Sequence, residues 1–334
     1  MSKYKKLFAI GFAISIISTI LVLLFTIDAT TFIYLRKINP YFLILALIIN
    51  MLSWVVWGFR IKILANSLDN NLKLINSIKI VIASSLVAAL TPSNIGGEPV
   101  RLHFLHRNGL TIGDASVVVL GERLIDGLFI GLAAPIAFFL AKDIIEDELI
   151  RMFFMVAALM LLMLLCIFIY GLFHINHFKV FSSFFIRFIA KLIGKTNKID
   201  YWTKLLNIII DDFDKSIKKM LNNKASLFMT ILCTIVYWIL IFIIPSFILI
   251  GLGSSPMWVY SISAQIILTL IMIIPITPGG SGIAEISFIS IYAAFVDSSI
   301  LGVVAVVWRF VAFHSTIIIS SIVSLKLLQE EELI

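Results

Sequence analysis

The chain has 334 residues, of which 61% are hydrophobic and 13% charged, and its mean hydropathy is +1.10. Soluble domains run at about 45–50% apolar and about 25% charged, so a water-soluble globule is excluded and the working unit of length is the bilayer span of about 20 residues. The net charge of +7 is read as a basic cytoplasmic face, the common arrangement in membrane proteins, so no nucleic-acid partner is expected.

Lys3, Lys5 and Lys6 precede an apolar run from Leu7 to Ile27. The run is longer than the core of a signal peptide, so it is predicted to stay as a first span, with the N-terminus in the cytoplasm. Further spans are predicted at 41–65, 115–141, 152–172, 225–250 and 299–325. The 142–151 loop carries Asp143, Glu146, Asp147 and Glu148 and is placed outside. Segment 174–224 holds ten Lys/Arg against four Asp and is placed in the cytoplasm. Within it, Phe178, Phe181, Phe185, Phe188 and Leu192, then Trp202, Leu205, Ile209, Phe213 and Ile217, recur at helical spacing. Two readings fit: helices lying in the headgroup layer, or a linker packed on the bundle. Cys166 and Cys233 sit inside apolar runs without disulfide or metal spacing.

Two apolar stretches are interrupted. In 75–108 the break is Leu90-Thr91-Pro92-Ser93-Asn94-Ile95-Gly96-Gly97-Glu98. In 257–296 it is Ile276-Thr277-Pro278-Gly279-Gly280-Ser281-Gly282-Ile283-Ala284-Glu285. Proline removes a donor and glycine frees the backbone. Such backbone survives at membrane depth only when buried in protein or lining a wet cavity. An offset of 186 residues relates Thr91-Pro92 to Thr277-Pro278, Gly96 to Gly282 and Arg123 to Arg309. Because 41–65 runs inward and 225–250 outward, the repeats are predicted to be inverted.

The expected fold is an all-α polytopic membrane protein. It has six full transmembrane helices plus two re-entrant helical hairpins, about eight membrane segments, and an inverted internal repeat. A single transmembrane domain covers 1–334, with repeat A at 41–141, repeat B at 225–325 and 174–224 as a cytoplasmic amphipathic insertion. Lys326 and the Glu330–Glu332 tail fall inside. Inverted repeats whose broken helices meet at mid-membrane are a transporter signature.

Glu98 and Arg101 stand at the first tip. Glu122, Arg123 and Asp126 lie two turns into an apolar helix, Glu285 stands at the second tip, and Arg309 lies in the last span. Each charge at a helix centre costs about 2.5–3.5 kcal/mol on insertion scales, so these groups must face inward and pair. The predicted pairs are Glu98 with Arg123 and Glu285 with Arg309. Glu122 and Asp126 share a face, with Arg123 beside Asp126. One reading has arginine hold a lipid phosphate through its planar fork, helped by amides at the glycine-rich tips. The other has ion pairs that merely pin the hairpins. His103 and His106 are read as interfacial, and Trp54, Trp57, Trp238 and Trp258 as interface anchors or packing. No GxSxG, HExxH or Walker motif is present, so no catalytic residue, metal or cofactor is expected.

The stretch from Thr91 to Arg101 resembles a P-G-G-I-G-G-D/E-x-x-R motif, Glu122-Arg123 resembles the E-R pair that follows it, and Pro275 to Glu285 resembles P-x-x-P-G-G-x-G-x-x-E. These motifs resemble those of flippase-like membrane proteins related to the transmembrane domain of lysylphosphatidylglycerol synthase, the multiple peptide resistance factor. Ser93 and Asn94 depart from that pattern where glycine is common. The resemblance implies a lipid-translocating domain. The chain stops at Ile334, so the soluble aminoacyl-transferase domain of bifunctional relatives is not expected, and neither is enzyme activity. The expected activity is translocation of an anionic or aminoacylated polar lipid. The substrate-binding set is Arg123, Arg309, Glu98, Glu285, Arg101, Glu122, Asp126, Pro92, Gly96, Gly97, Pro278, Gly279, Gly280 and Gly282. The expected partner is a membrane phospholipid or glycolipid, and a homo-oligomer is compatible with the sequence. The alternative is a membrane enzyme or accessory subunit acting on a polyprenyl-phosphate or glycolipid, with 174–224 docking a soluble transferase.

Overall fold

A computed structural model describes residues 36–91, 96–142, 148–173, 199–273, 277 and 279–332. Every regular element among them is helical. The chain opens with α1 (Pro40–Asn66). Asn39 caps it by accepting from the Tyr41 amide at 3.0 Å, and Pro40 occupies the first turn, where its missing donor costs nothing. A broken pair follows, α2 (Leu74–Ala89) and α3 (Gly97–Arg107), and then α4 (Ile112–Leu140), whose cap Thr111 accepts from the Asp114 amide. Next come α5 (Glu148–Phe173) and α6 (Ile199–Asn222). The pattern of long helix, broken pair and long helix then occurs again: α7 (Lys224–Phe242) and α8 (Ile244–Gly251), α9 (Trp258–Met272) and α10 (Ile283–Tyr292), then α11 (Ser298–Arg309), a π-turn (Phe310–His314) and α12 (Ser315–Glu332).

Four stretches are long and apolar enough to cross a bilayer: Pro40–Asn66, Ile112–Leu140, Lys224–Gly251 and Ser298–Ser324. They match four of the expected spans within a few residues. α5 covers the expected 152–172, and the expected first span, 7–27, lies outside the described residues. The 224–251 stretch is interrupted where Pro245 enters the first turn of α8 and cannot continue the ladder of α7. Both broken segments are present: α2 and α3 are separate helices, as are α9 and α10.

α1 turns Ile44, Ile48, Met51 and Val55 outward and buries Ala46, Ile49, Asn50, Ser53 and Arg60. In water exposed apolar side chains on that scale would be a liability; on a bilayer span they are the solvent-facing surface. Small residues set the close crossings. A Cβ on Gly58 would sit 3.0 Å from the Ile78 backbone of α2, and one on Gly131 would sit 2.6 Å from Leu162 of α5. Without a hydrophobic drive between helices in lipid, this close approach supplies the packing contact.

α1 packs on α7, α2 packs on α12, and α9 packs on α4. One apolar cluster joins Ile61, Leu64, Leu105 and Val118 to Phe213, Ile217 and Met220 of α6. Residues 210–222 are therefore packed on the bundle, with Ser216 bonded to Asp114 at 2.7 Å and Lys219 paired with Asp69. The phenylalanine series of 178–188 lies outside the described residues. A second cluster surrounds Ile248, Phe288, Tyr292, Val304 and Trp308.

Candidate functional site

The two broken segments meet. Thr91 lies just past the end of α2, and its hydroxyl accepts from the Gly96 amide at 2.8 Å, closing the first tip on itself. The Thr91 carbonyl then accepts from the Gly279 amide at 3.2 Å, which joins the first tip to the second. Gly279, Gly280 and Gly282 all have positive φ (56°, 65° and 88°), a region glycine enters without steric cost. At Gly279 a Cβ would also lie 2.6 Å from the Ala89 carbonyl, so only glycine permits this approach. Gly97 starts α3 with its Cβ direction 3.1 Å from the Ser84 carbonyl, which draws the two legs of the first hairpin together. Pro92 and Pro278 lie outside the described residues.

Both predicted ion pairs form. Arg123 pairs with Glu98, and Arg309 Nε lies 2.8 Å from Glu285 Oε1. Their surroundings differ. The Arg123 side chain is 42% exposed and that of Glu98 21%, against 5% and 2% for Arg309 and Glu285. Glu98 Oε2 is buried and has no hydrogen-bond partner. Arg309 is enclosed: its Nη2 donates to the Gly279 carbonyl at 2.9 Å and to Ser281 Oγ at 3.1 Å, and the Phe313 ring lies 3.8 Å from its guanidinium carbon. Glu285 Oε2 accepts from the Gly282 amide at 2.7 Å and so caps α10.

A third group, larger than the sequence suggested, lies beside the first pair. Arg60 of α1 is buried and donates from Nε to Glu122 Oε1 at 3.0 Å. It grips Asp126 with both Nη atoms, at 2.6 and 3.1 Å, and bonds Thr234 Oγ1 at 3.0 Å. Arg101 reaches Glu122 Oε2 at 3.1 Å. Two indole N–H groups complete the shell, Trp57 to Glu122 at 2.8 Å and Trp238 to Asp126 at 3.0 Å. The Arg101 guanidinium also lies 4.5 Å from the Trp57 ring. The shared face of Glu122 and Asp126 is as expected, but the cation between them is Arg60, not Arg123. Trp57 and Trp238 are hydrogen-bond donors to buried carboxylates as well as packing.

Arg60, Arg101 and Arg123 balance Glu98, Glu122 and Asp126, so this cluster is neutral as it stands. The Arg60 network is buried and bidentate, and removing one partner of such a group typically costs about 3–5 kcal/mol. It holds α1, α3, α4 and α7 in fixed relation. The Arg123–Glu98 pair, by contrast, is open on one side and has a spare carboxylate oxygen. Among the described residues no group of three or more His, Cys, Asp or Glu is placed to hold a metal.

Long apolar helices enclosing paired charges, with two glycine-rich breaks in contact, define a multi-pass helical membrane protein. The family described as Lysylphosphatidylglycerol synthase TM region matches residues 8–320, and the chain belongs to that family. A UPF0104 membrane protein of Archaeoglobus fulgidus is 31% identical over 316 residues, 94% of each chain. A UPF0104 membrane protein of Pyrococcus horikoshii is 22% identical over 294 residues, 85% of this chain and 87% of the relative. No solved structure matches.

Proposed function

We propose that the chain translocates a phosphate-bearing polar lipid between leaflets, with the Arg123–Glu98 pair as the headgroup site. The observation that carries this reading is the exposure of that pair, beside a closed, charge-balanced network and at the junction of two broken hairpins. An arginine at membrane depth whose fork is half open can exchange a carboxylate oxygen for a phosphate oxygen with little change in geometry. The cluster is neutral before the cargo arrives, so the displaced Glu98 is left to meet any cationic group the headgroup carries.

The same proposal includes an inverted repeat, six full crossings and two re-entrant hairpins, with both termini in the cytoplasm. Its support is the recurrence of boundaries. Each helix start of 40–140, and the end of each long apolar stretch, has a counterpart within about three residues of the 186 offset in 224–324. The packing also exchanges: α2 lies on α12 and α9 on α4, with α1 against α7 between them. A two-fold relation between halves produces that set of contacts, and folds of this kind bind cargo where the two halves meet.

The test is translocation of headgroup-labelled phosphatidylglycerol in proteoliposomes, comparing wild type with Arg123→Gln and Glu98→Gln. The expected result is a loss of about tenfold or more for Arg123→Gln, the scale of a charge-assisted bidentate contact. Equal rates in wild type and Arg123→Gln contradict the assignment.

A further inference from the structure

Arg309 has the composition of an anion site but no free face, and what closes it is unusual. The last long helix is α-helical through Arg309 and then widens into a π-turn at Phe310–His314, where the Ser315 amide bonds the Phe310 carbonyl. Such turns are rare and gather at functional sites. At the corresponding offset in the first half, Leu124–Leu128 is ordinary α-helix within α4. The π-turn is therefore a feature of the second half alone.

Three side chains hold the turn open. Asn50 of α1, buried and polar in a membrane helix, donates through Nδ2 to the Val311 carbonyl at 2.8 Å. Ser315 Oγ donates to the same carbonyl at 2.6 Å, and His314 Nδ1 lies 3.3 Å from the Arg309 carbonyl. A widened turn leaves carbonyls without their usual amide partners, and these contacts occupy them. The turn presents Phe313 against the Arg309 guanidinium and against Gly279, where a Cβ would lie 2.5 Å from the ring. Phe313 therefore sits on the tip junction, with Ala89 beneath it.

We propose that Phe313 is a removable lid, carried on the π-turn, that hides Arg309 in this conformation and uncovers it for a phosphate group when the turn changes width. The inference rests on the lipid-translocation reading for its cargo, but the lid itself is read by accessibility alone. Arg309 Nε and Glu285 Oε1 are 2.8 Å apart yet neither atom has a hydrogen bond, so the buried pair is close but poorly aimed. A phosphate group, which can bring a different oxygen to each guanidinium N–H, corrects the alignment once the ring withdraws.

The experiment uses the full chain with Cys166→Ser and Cys233→Ser, carrying Ser281→Cys beside Arg309, in nanodiscs. Its probe is 2-sulfonatoethyl methanethiosulfonate, an anionic thiol reagent. Adding Phe313→Ala is expected to speed labelling about tenfold or more, the scale of a buried cation–π contact. Deleting Ala312 removes one residue from the wide turn, leaves α11 and α12 in register, and is expected to speed labelling while keeping the ring. Asn50→Leu, which releases the Val311 carbonyl, is expected to do so more weakly. Labelling unchanged by both Phe313→Ala and the Ala312 deletion overturns the lid. In Phe313→Ala, slower labelling in phosphatidylglycerol discs than in discs of equal negative surface charge made with a phosphate-free anionic lipid identifies a lipid phosphate as the ligand, whereas slowing by inorganic phosphate alone identifies a free anion. Faster labelling that neither source slows keeps the lid and overturns phosphate as what Arg309 is uncovered for.

Discussion

Around Glu122 the first half gathers three arginines and three carboxylates. At the offset counterpart of Glu122, Trp308 stacks on Phe288 with ring centres 4.6 Å apart, and Phe288 stacks on Tyr292 at 3.9 Å. The substitutions are consistent along the site: Ser246 stands at the counterpart of Arg60 and Ala312 at that of Asp126. The two halves thus hold similar helices by different physics. Charged hydrogen bonds fix distance and angle and penalise any departure. Stacked rings tolerate sliding and lose little when they shift. The Arg60 network, completed by Thr234 and Trp238 of α7, is a fixed post. The aromatic stack, π-turn and positive-φ glycines of the second half are expected to yield more readily.

The largest effect expected from breaking this contrast is Arg60→Leu. It leaves Asp126 buried without its cation, and thermal unfolding in detergent is expected to register a loss of about 3–5 kcal/mol. Arg60→Leu with Asp126→Leu removes a charge of each sign and leaves Glu122 with Arg101. That pair is expected to recover part of the loss, by about 1 kcal/mol or more. If the single and double variants unfold alike, the network is not acting as a charge-balanced unit.

In the second half, Phe288→Leu is expected to cost less, about 1–3 kcal/mol, because a partial cavity collapses more easily among rings than around charges. A cost matching Arg60→Leu in the same assay removes the distinction between post and yielding half. Tyr292→Phe is smaller still, about 1–2 kcal/mol. The lost hydroxyl bonds Ser261 at 3.0 Å and Gln265 at 3.1 Å, and the Gln265 amide is left without that acceptor.

The smallest effect concerns pH. Asp297 caps α11, accepting from the Ser299 amide at 2.8 Å, and this bond holds its carboxyl below the ordinary range. A depressed folded-state pKa gives stability that is present above the unfolded value and lost as pH falls through the folded one. The thermal midpoint is therefore expected to decline below about pH 4 by a component absent in Asp297→Asn, whose amide still caps but does not titrate. Identical acid profiles contradict that role.

Much of this was legible in the chain itself. The broken segments announce themselves through Pro-Gly clusters inside apolar runs, and the pairs Glu98–Arg123 and Glu285–Arg309 follow from charges that cannot stay single at membrane depth. Arg60 was harder. Its partners lie 62 and 66 residues away on α4, and nothing in local spacing competes with the nearer Arg123 as a neighbour for Asp126. Trp57 and Trp238 look alike whether they anchor an interface or donate to a carboxylate, and only the packing of α1, α4 and α7 decides. The π-turn leaves no local sign, because Asn50, which supports it, is 261 residues from Val311. Burial separates Arg123 from Arg309 in the same way: the residues match, while the covering ring comes from the turn that follows only one of them.

Arg123 is the open cation of the two, and a map of the full chain in phosphatidylglycerol nanodiscs tests its role most directly. A headgroup phosphate is expected within hydrogen-bond distance, about 2.7–2.9 Å, of the Arg123 guanidinium, with Glu98 displaced and the Arg60–Glu122–Asp126 network unchanged. Arg123 still locked to Glu98, with lipid density confined to the outer faces of the helices, contradicts it.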